Sequence, residues 1–125
     1  MDQKVVAYVR VSTEEQREEG YSLEAQRRFL MDYAKGHGLE IVREFSEVDS
    51  AFKPGRPQLE AMRRYLREHP EIEGVLVYKV DRIARNMSDY ANLVEQDKIT
   101  IISATERFPN NPAGKFALGV QALTS

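Results

Sequence analysis

The chain has 125 residues, 42% of them apolar and 30% charged, which is enough for one core with a charged cover and gives no sign of disorder or of a second core within these residues. It has no cysteine, and its two histidines, His37 and His69, lack ligand spacing; this excludes disulfides and thiolate zinc sites and predicts no cofactor, leaving only a carboxylate site open to magnesium. A net charge of -2 excludes a uniformly basic nucleic-acid surface, yet twelve arginines against six lysines favour bidentate recognition of phosphate in a compact pocket.

Val5 to Val9 is continuously apolar, as expected for a central strand buried on both faces of a parallel sheet. It ends in Arg10-Val11-Ser12-Thr13. Side chains alternate along an extended backbone, so Arg10 and Ser12 project to the same side, a cation beside a hydroxyl. That pair suits attack on a phosphate, with the guanidinium gripping oxygens and the hydroxyl acting as nucleophile. Taken alone, however, a Ser-Thr pair before a helix reads more readily as an N-cap.

After a polar loop, Leu23, Gln26, Leu30, Tyr33 and Ala34 form one helical stripe that turns Gln26 inward, and Gly36 or Gly38 supplies the stop. Leu39 to Phe45 reads as a second strand and Ser46 to Gly55 as a loop. Pro57 opens a helix with Leu59, Met62 and Leu66 on its apolar face. Gly74 to Val80 is a further buried strand, followed by Asp81-Arg82-Ile83-Ala84-Arg85 and a short helix carrying Met87, Tyr90, Ala91 and Val94. Thr100 to Ala104 reads as a fourth strand, and Phe116, Val120 and Leu123 repeat at helical spacing between Pro112 and Ser125. The chain stops within that last pattern, which predicts a domain truncated before a longer C-terminal helix and further domains.

The longest apolar runs are too short to cross a bilayer, and Met1 to Lys4 lacks a signal peptide's apolar region, so a cytoplasmic protein with no membrane partner is expected. Strands alternating with helices predict an open, mostly parallel α/β sheet of four to five strands with helices on both faces. Ligand sites in such folds lie beyond the carboxyl ends of the strands, the rim that would hold Arg10, Ser12, Asp81 and Arg82. If the segment after Val80 is helical, Arg82 and Arg85 share a face. Arg56 adds a cation from the start of the second helix. Each element has a plainer alternative: Asp81 on a helix dipole, solvated arginines at 82 and 85, a surface arginine beside Pro57, and ordinary core for Met87 and Tyr90, which otherwise offer contacts between subunits.

Three motifs in order, Tyr8-Val9-Arg10-Val11-Ser12-Thr13-Glu14-Glu15-Gln16, Gly20-Tyr21-Ser22-Leu23-Glu24-Ala25-Gln26 and Val80-Asp81-Arg82-Ile83-Ala84-Arg85, resemble the catalytic domain of serine site-specific recombinases over essentially the whole chain. The middle motif is more similar to the large members, phage integrases and mobile-element recombinases, than to small resolvases and invertases. The resemblance implies a resolvase-like fold, DNA as substrate, and a catalytic domain truncated before the long C-terminal helix and DNA-binding domains. It also implies a serine that joins the 5′-phosphate and frees a 3′-hydroxyl, then strand exchange by subunit rotation in a tetramer assembled from homodimers. Carried over by position, Ser12 is the nucleophile, Arg10, Arg82 and Arg85 surround the phosphate with Arg56 as a fourth arginine, and Asp81 and Gln26 are polar site residues. Where the family often has a Gly-Ser-Gly-like run, this chain has Asp49-Ser50-Ala51-Phe52-Lys53-Pro54-Gly55. The general base is unassigned, Asp81 being the nearest carboxylate in the motifs. Two other readings compete: a flavodoxin-like receiver or nucleotide-binding module, disfavoured by Arg10 and Ser12 where a receiver needs acids, and a catalytically silent homologue that only assembles on DNA.

Overall fold

The structure is a computed structural model that describes residues 2–12, 22–49 and 55–106. Strands β1 (Gln3–Ser12), β2 (Leu39–Asp49), β3 (Gly74–Val77) and β4 (Ile101–Ser103) form one sheet in the order β2-β1-β3-β4, with every neighbouring pair parallel. Among the described residues this is the four-stranded open α/β sheet that the alternation of apolar runs predicts.

Alternation along β1 divides the core. Val5, Ala7 and Val9 face helix α1 (Leu23–Gly36) and pack with Leu30 and Ala34. Val6 and Tyr8 face the opposite way, into a larger cluster with Leu59 and Met62 of α2 (Pro57–Glu68) and Tyr90 of α3 (Met87–Ala91). Burial on both sides explains why β1 is apolar without a break. Continuing the same alternation sends Arg10 and Ser12 to the α2 and α3 side, beyond the last core residue of that face.

Three boundaries differ from the sequence reading. β2 runs through Asp49, although Ser46 to Gly55 reads as a loop, because its last four residues pair with Val9 to Ser12 of β1. Backbone pairing with a buried neighbour overrides the polar composition of Ser46, Glu47 and Asp49. β3 ends at Val77, and Val80 begins a 3₁₀ turn, Val80–Arg82. Asn86 then caps α3 through its side chain, which accepts Asp89 N–H at 2.9 Å, and the helix continues as a π-helical turn over Asn92–Gln96. The segment from Asp81 to Arg85 is therefore not one helix, and Arg82 and Arg85 do not share a helical face. Tyr90 is buried and Met87 packs against the same cluster, which assigns both to the core of this chain. The helical pattern from Pro112 to Ser125 lies outside the described residues.

Helix α1 begins at Ser22, whose hydroxyl accepts Ala25 N–H at 3.1 Å, and it ends in a turn where Gly38 has a φ of +67°. Of the two glycines marked as stop signals, Gly38 is the one whose conformation requires glycine. The hydroxyl that caps α1 is thus Ser22, and Ser12 is the final residue of β1.

Candidate active site at the carboxyl rim of the sheet

Arg10 leaves β1 two residues before its end and reaches the loop after β3. Its Nε donates to the Arg82 carbonyl at 3.0 Å and its Nη2 to the Asp81 carbonyl at 2.6 Å. A third donor, Nη1, pairs with Asp49 Oδ2. With its side chain 15% exposed, Arg10 is fixed by three directional bonds, two of them to backbone. The backbone of β1 is held from behind as well, since Gln26, buried on α1, donates Nε2 to the Arg10 carbonyl at 3.1 Å. This is the inward placement that the α1 stripe predicts.

The loop carrying Asp81, Arg82 and Arg85 is held at both ends. Glu106 Oε1 accepts Val80 N–H at 2.9 Å and the Ser103 hydroxyl at 3.0 Å, tying the loop's start to the end of β4. Asp89 Oδ2 accepts Arg85 N–H at 3.0 Å and Arg56 Nη2 at 3.0 Å, tying its end to the start of α2. Arg56, only 9% exposed, also donates Nη1 to the Ile83 carbonyl at 2.7 Å. It is a largely covered brace between α2 and the loop, where the sequence alone also allows a surface arginine.

Asp81 contributes its carbonyl to Arg10, while its Oδ1 lies 3.8 Å from Arg82 Nε, an ion pair beyond hydrogen-bonding distance. Arg82 is 13% exposed and Arg85 49% exposed at the side chain. Arg85 Nη2 donates to Asp49 Oδ1 at 3.2 Å, so one carboxylate spans Arg10 and Arg85. Ser12, half-buried, is the register partner of Asp49 across the β1 and β2 ladder. The structure thus brings Arg10, Ser12, Asp81, Arg82, Arg85 and Arg56 to one rim, with Gln26 behind it.

Three carboxylates at this rim were not singled out from sequence. Asp89 links Arg56 to the loop, Asp49 bridges two arginines, and Glu47 is buried beneath them. Glu47 Oε1 accepts the Tyr8 hydroxyl at 3.3 Å and Leu59 N–H at 3.1 Å, and Gln58 N–H bonds the same carboxylate at 3.1 Å. Arg56 offers α2 no side-chain cap, so the first turn takes its acceptor from the neighbouring strand. The signal was present in the absence of Ser, Thr, Asp or Asn before Pro57. Burial, and after it the charge of Glu47, raise the Tyr8 hydroxyl above its ordinary pKa, with Arg56 and Arg10 pulling the other way.

A strand-end serine, an arginine locked onto a second arginine-bearing loop, and a parallel sheet with its site at the carboxyl rim form a combination that can be compared with known proteins. The family model described as Resolvase, N terminal domain, matches residues 5–125. The chain belongs to the resolvase family. It is 33% identical over 125 residues to a resolvase from Clostridium perfringens, covering 94% of this chain and 60% of that protein. To the Transposon Tn917 resolvase of Enterococcus faecalis it is 31% identical, covering 94% of this chain and 59% of that one. The chain therefore spans about three-fifths of the length of these curated resolvases.

Solved structures agree with the family. The N-terminal catalytic domain of TP901-1 integrase superposes with a TM-score of 0.76 at 31% identity, covering 94% of this chain and 90% of that domain. A resolvase family site-specific recombinase from Streptococcus pneumoniae gives a TM-score of 0.77 at 29% identity, covering 97% and 86%. The open parallel sheet is thus that of serine recombinase catalytic domains.

Proposed function

We propose that this chain is the catalytic domain of a site-specific DNA recombinase in which Ser12 attacks a DNA phosphodiester. The serine Oγ to phosphorus bond forms and the bond from phosphorus to the 3′-oxygen breaks. The products are a 5′-phosphoserine and a free 3′-hydroxyl; the proton leaves Oγ and one arrives at the 3′-oxygen. The reverse attack reseals the strand, and because the phosphoserine retains the energy of the broken linkage, no nucleotide cofactor is consumed.

One observation carries the reading. The locking of Arg10 onto the Asp81 and Arg82 carbonyls draws the second arginine motif against the end of β1, the strand whose last residue is Ser12. A pentacovalent phosphorus carries more negative charge than the diester, so preorganised guanidiniums favour it over the ground state. Arg10, Arg82 and Arg85 are the donors assigned to that charge. Arg56 and Gln26 act by holding the loop and β1, and Asp81 acts through its carbonyl. DNA is the partner, with homodimers assembling into the tetramer in which strands exchange. A net charge of -2 gives little general affinity for DNA. Selection of a sequence is assigned to the portion of the relatives that this chain does not span.

The test is a trap for covalent adducts, in which the protein encoded by the gene is incubated with nicked site DNA and the attached residue is mapped by mass spectrometry. A 5′-phosphate on Ser12 is expected, and Ser12→Ala should abolish it while folding and DNA binding persist. Arg85→Ala is the cleaner arginine variant, because the side chain is half exposed. It should slow cleavage by about 10²-fold, the scale of one lost transition-state donor, at unchanged thermal stability. DNA-bound, active protein with no adduct would overturn the assignment.

A further inference from the structure

Asp49, the last residue of the edge strand β2, meets two of the rim's arginines, yet none of the sequence motifs includes it as a site residue. Its two oxygens are divided between two guanidiniums: Oδ2 takes Arg10 Nη1 and Oδ1 takes Arg85 Nη2 at 3.2 Å. A carboxylate that offers one oxygen to each of two arginines presents the charge and the forked geometry of the two non-bridging oxygens of a phosphodiester. Its position in the sheet matters equally. Asp49 is the register partner of Ser12, so an anion on these arginines lies at the level of the serine along the strand.

The two arginines are not held alike. Arg10 retains the Arg82 and Asp81 carbonyls whatever happens to Asp49, and its side chain is 15% exposed. Arg85 is 49% exposed, and among the described residues its guanidinium has Asp49 as its partner. An exposed ion pair of this kind is weak and exchanges readily with a competing anion. The buried end should hold while the exposed end lets go.

We propose that Asp49 is a positioning residue that serves as an internal counter-ion: it keeps Arg85 folded against the Arg10 side of the site when no phosphate is bound, and yields Arg85 to the incoming DNA phosphate. Asp49 thereby sets how tightly the site binds phosphate, separately from the chemistry at Ser12. The inference rests on the recombinase reading, since it takes the incoming anion to be a DNA phosphate. It gives the carboxylate a function that a merely structural ion pair lacks. A structural pair would contribute to folding and leave anion affinity unmoved or weaker.

The probe is inorganic phosphate, titrated into the wild-type chain while the arginine Nε–H resonances of Arg10 and Arg85 are followed by NMR. Phosphate should shift both signals. In Asp49→Asn the dissociation constant should fall by about two- to fivefold, the gain expected when an exposed ion pair no longer competes with phosphate for Arg85. Asp49→Glu should return it to within about twofold of wild type, because the carboxylate is restored. Arg85→Gln supplies an independent check: once Arg85 is gone, adding Asp49→Asn should tighten binding much less than it does in the wild type, a coupling read from the double-mutant cycle. Unchanged or weaker phosphate binding in Asp49→Asn, or no shift of either arginine, would overturn the proposal. The Ser12 adduct separates the two failures. An adduct with phosphate affinity indifferent to Asp49 removes the counter-ion role and leaves the recombinase. A phosphate site sensitive to Asp49 on active, DNA-bound protein that forms no adduct removes the recombinase reading and leaves Asp49 as the counter-ion of a different anion site.

Discussion

Glu47 and Asp49 leave the same face of β2 two residues apart, and they differ in the depth at which each meets its partners. Glu47, 4% exposed, accepts neutral donors among the described residues: the Tyr8 hydroxyl and two amides of the first turn of α2. Asp49, at 21% side-chain exposure, accepts guanidiniums among the described residues, one mostly shielded and one open to solvent. A buried carboxylate bound to backbone donors has no competitor, because removing it strands three polar groups. A rim carboxylate bound to arginines competes with every other anion that reaches them. The same residue class one strand pleat apart therefore joins helix to sheet in one place and leaves an exchangeable contact in the other.

The largest test of this contrast is Glu47→Ala, which deprives the Tyr8 hydroxyl and the Gln58 and Leu59 amides of their acceptor. It should cost about 2–4 kcal/mol of folding stability, the sum expected for a lost helix cap and a stranded buried hydroxyl, measured by urea unfolding. A loss below half a kcal/mol would mean that water replaces the carboxylate and that the depth argument fails. Tyr8→Phe removes one of the same bonds without creating an unsatisfied donor. It should cost about 1 kcal/mol.

Alkaline pH probes the same buried pair. The Tyr8 hydroxyl holds its proton more tightly in the folded chain than in the unfolded one, where it ionises near the ordinary value of about 10. Below that value both states are protonated and pH has no effect through this group. Above it the unfolded state loses a proton that the folded state keeps, so stability should fall as pH rises past 10. Burial raises Tyr90 in the same direction, so Tyr8→Phe should make the alkaline decline shallower without abolishing it. An identical slope in Tyr8→Phe would show that the Tyr8 hydroxyl is not held protonated by its buried site. The smallest expected change is the stability of Asp49→Asn, within about 1 kcal/mol of wild type, since one of its two partners is exposed. A loss as large as that of Glu47→Ala would erase the distinction between the two acids.

Much of the site was legible before any fold. Arg10 and Ser12 share a face because strands alternate, and the loop after β3 lies on their rim because ligand loops of parallel sheets gather at the carboxyl ends. Gln26 faces inward because it falls on the apolar stripe of α1. The acids were harder to find. Glu47 and Asp49 sit in a polar stretch that reads as a loop, and its extended conformation comes from pairing with β1, a contact between segments more than 30 residues apart. Arg56 reads as a fourth site arginine with a surface arginine beside Pro57 as the alternative, and its role as a brace came only with the Ile83 carbonyl and Asp89 that hold it.

What the sequence determined by itself is what depends on local periodicity: a strand buried on both faces, helices with one apolar stripe, and a serine and arginines delivered to loops at the ends of buried strands. These follow from the 2-residue and 3.6-residue repeats of backbone geometry, which neighbouring residues alone set. The tertiary structure alone decided which acids Arg10, Arg85 and Arg56 meet. Arg10 with Asp49, Arg85 with Asp49 and Arg56 with Asp89 join residues 39, 36 and 33 positions apart. No local pattern encodes such pairs, because they depend on the register of β2 against β1 and on the docking of the loop after β3. An arginine among several carboxylates takes whichever of them the packed core brings within hydrogen-bonding distance.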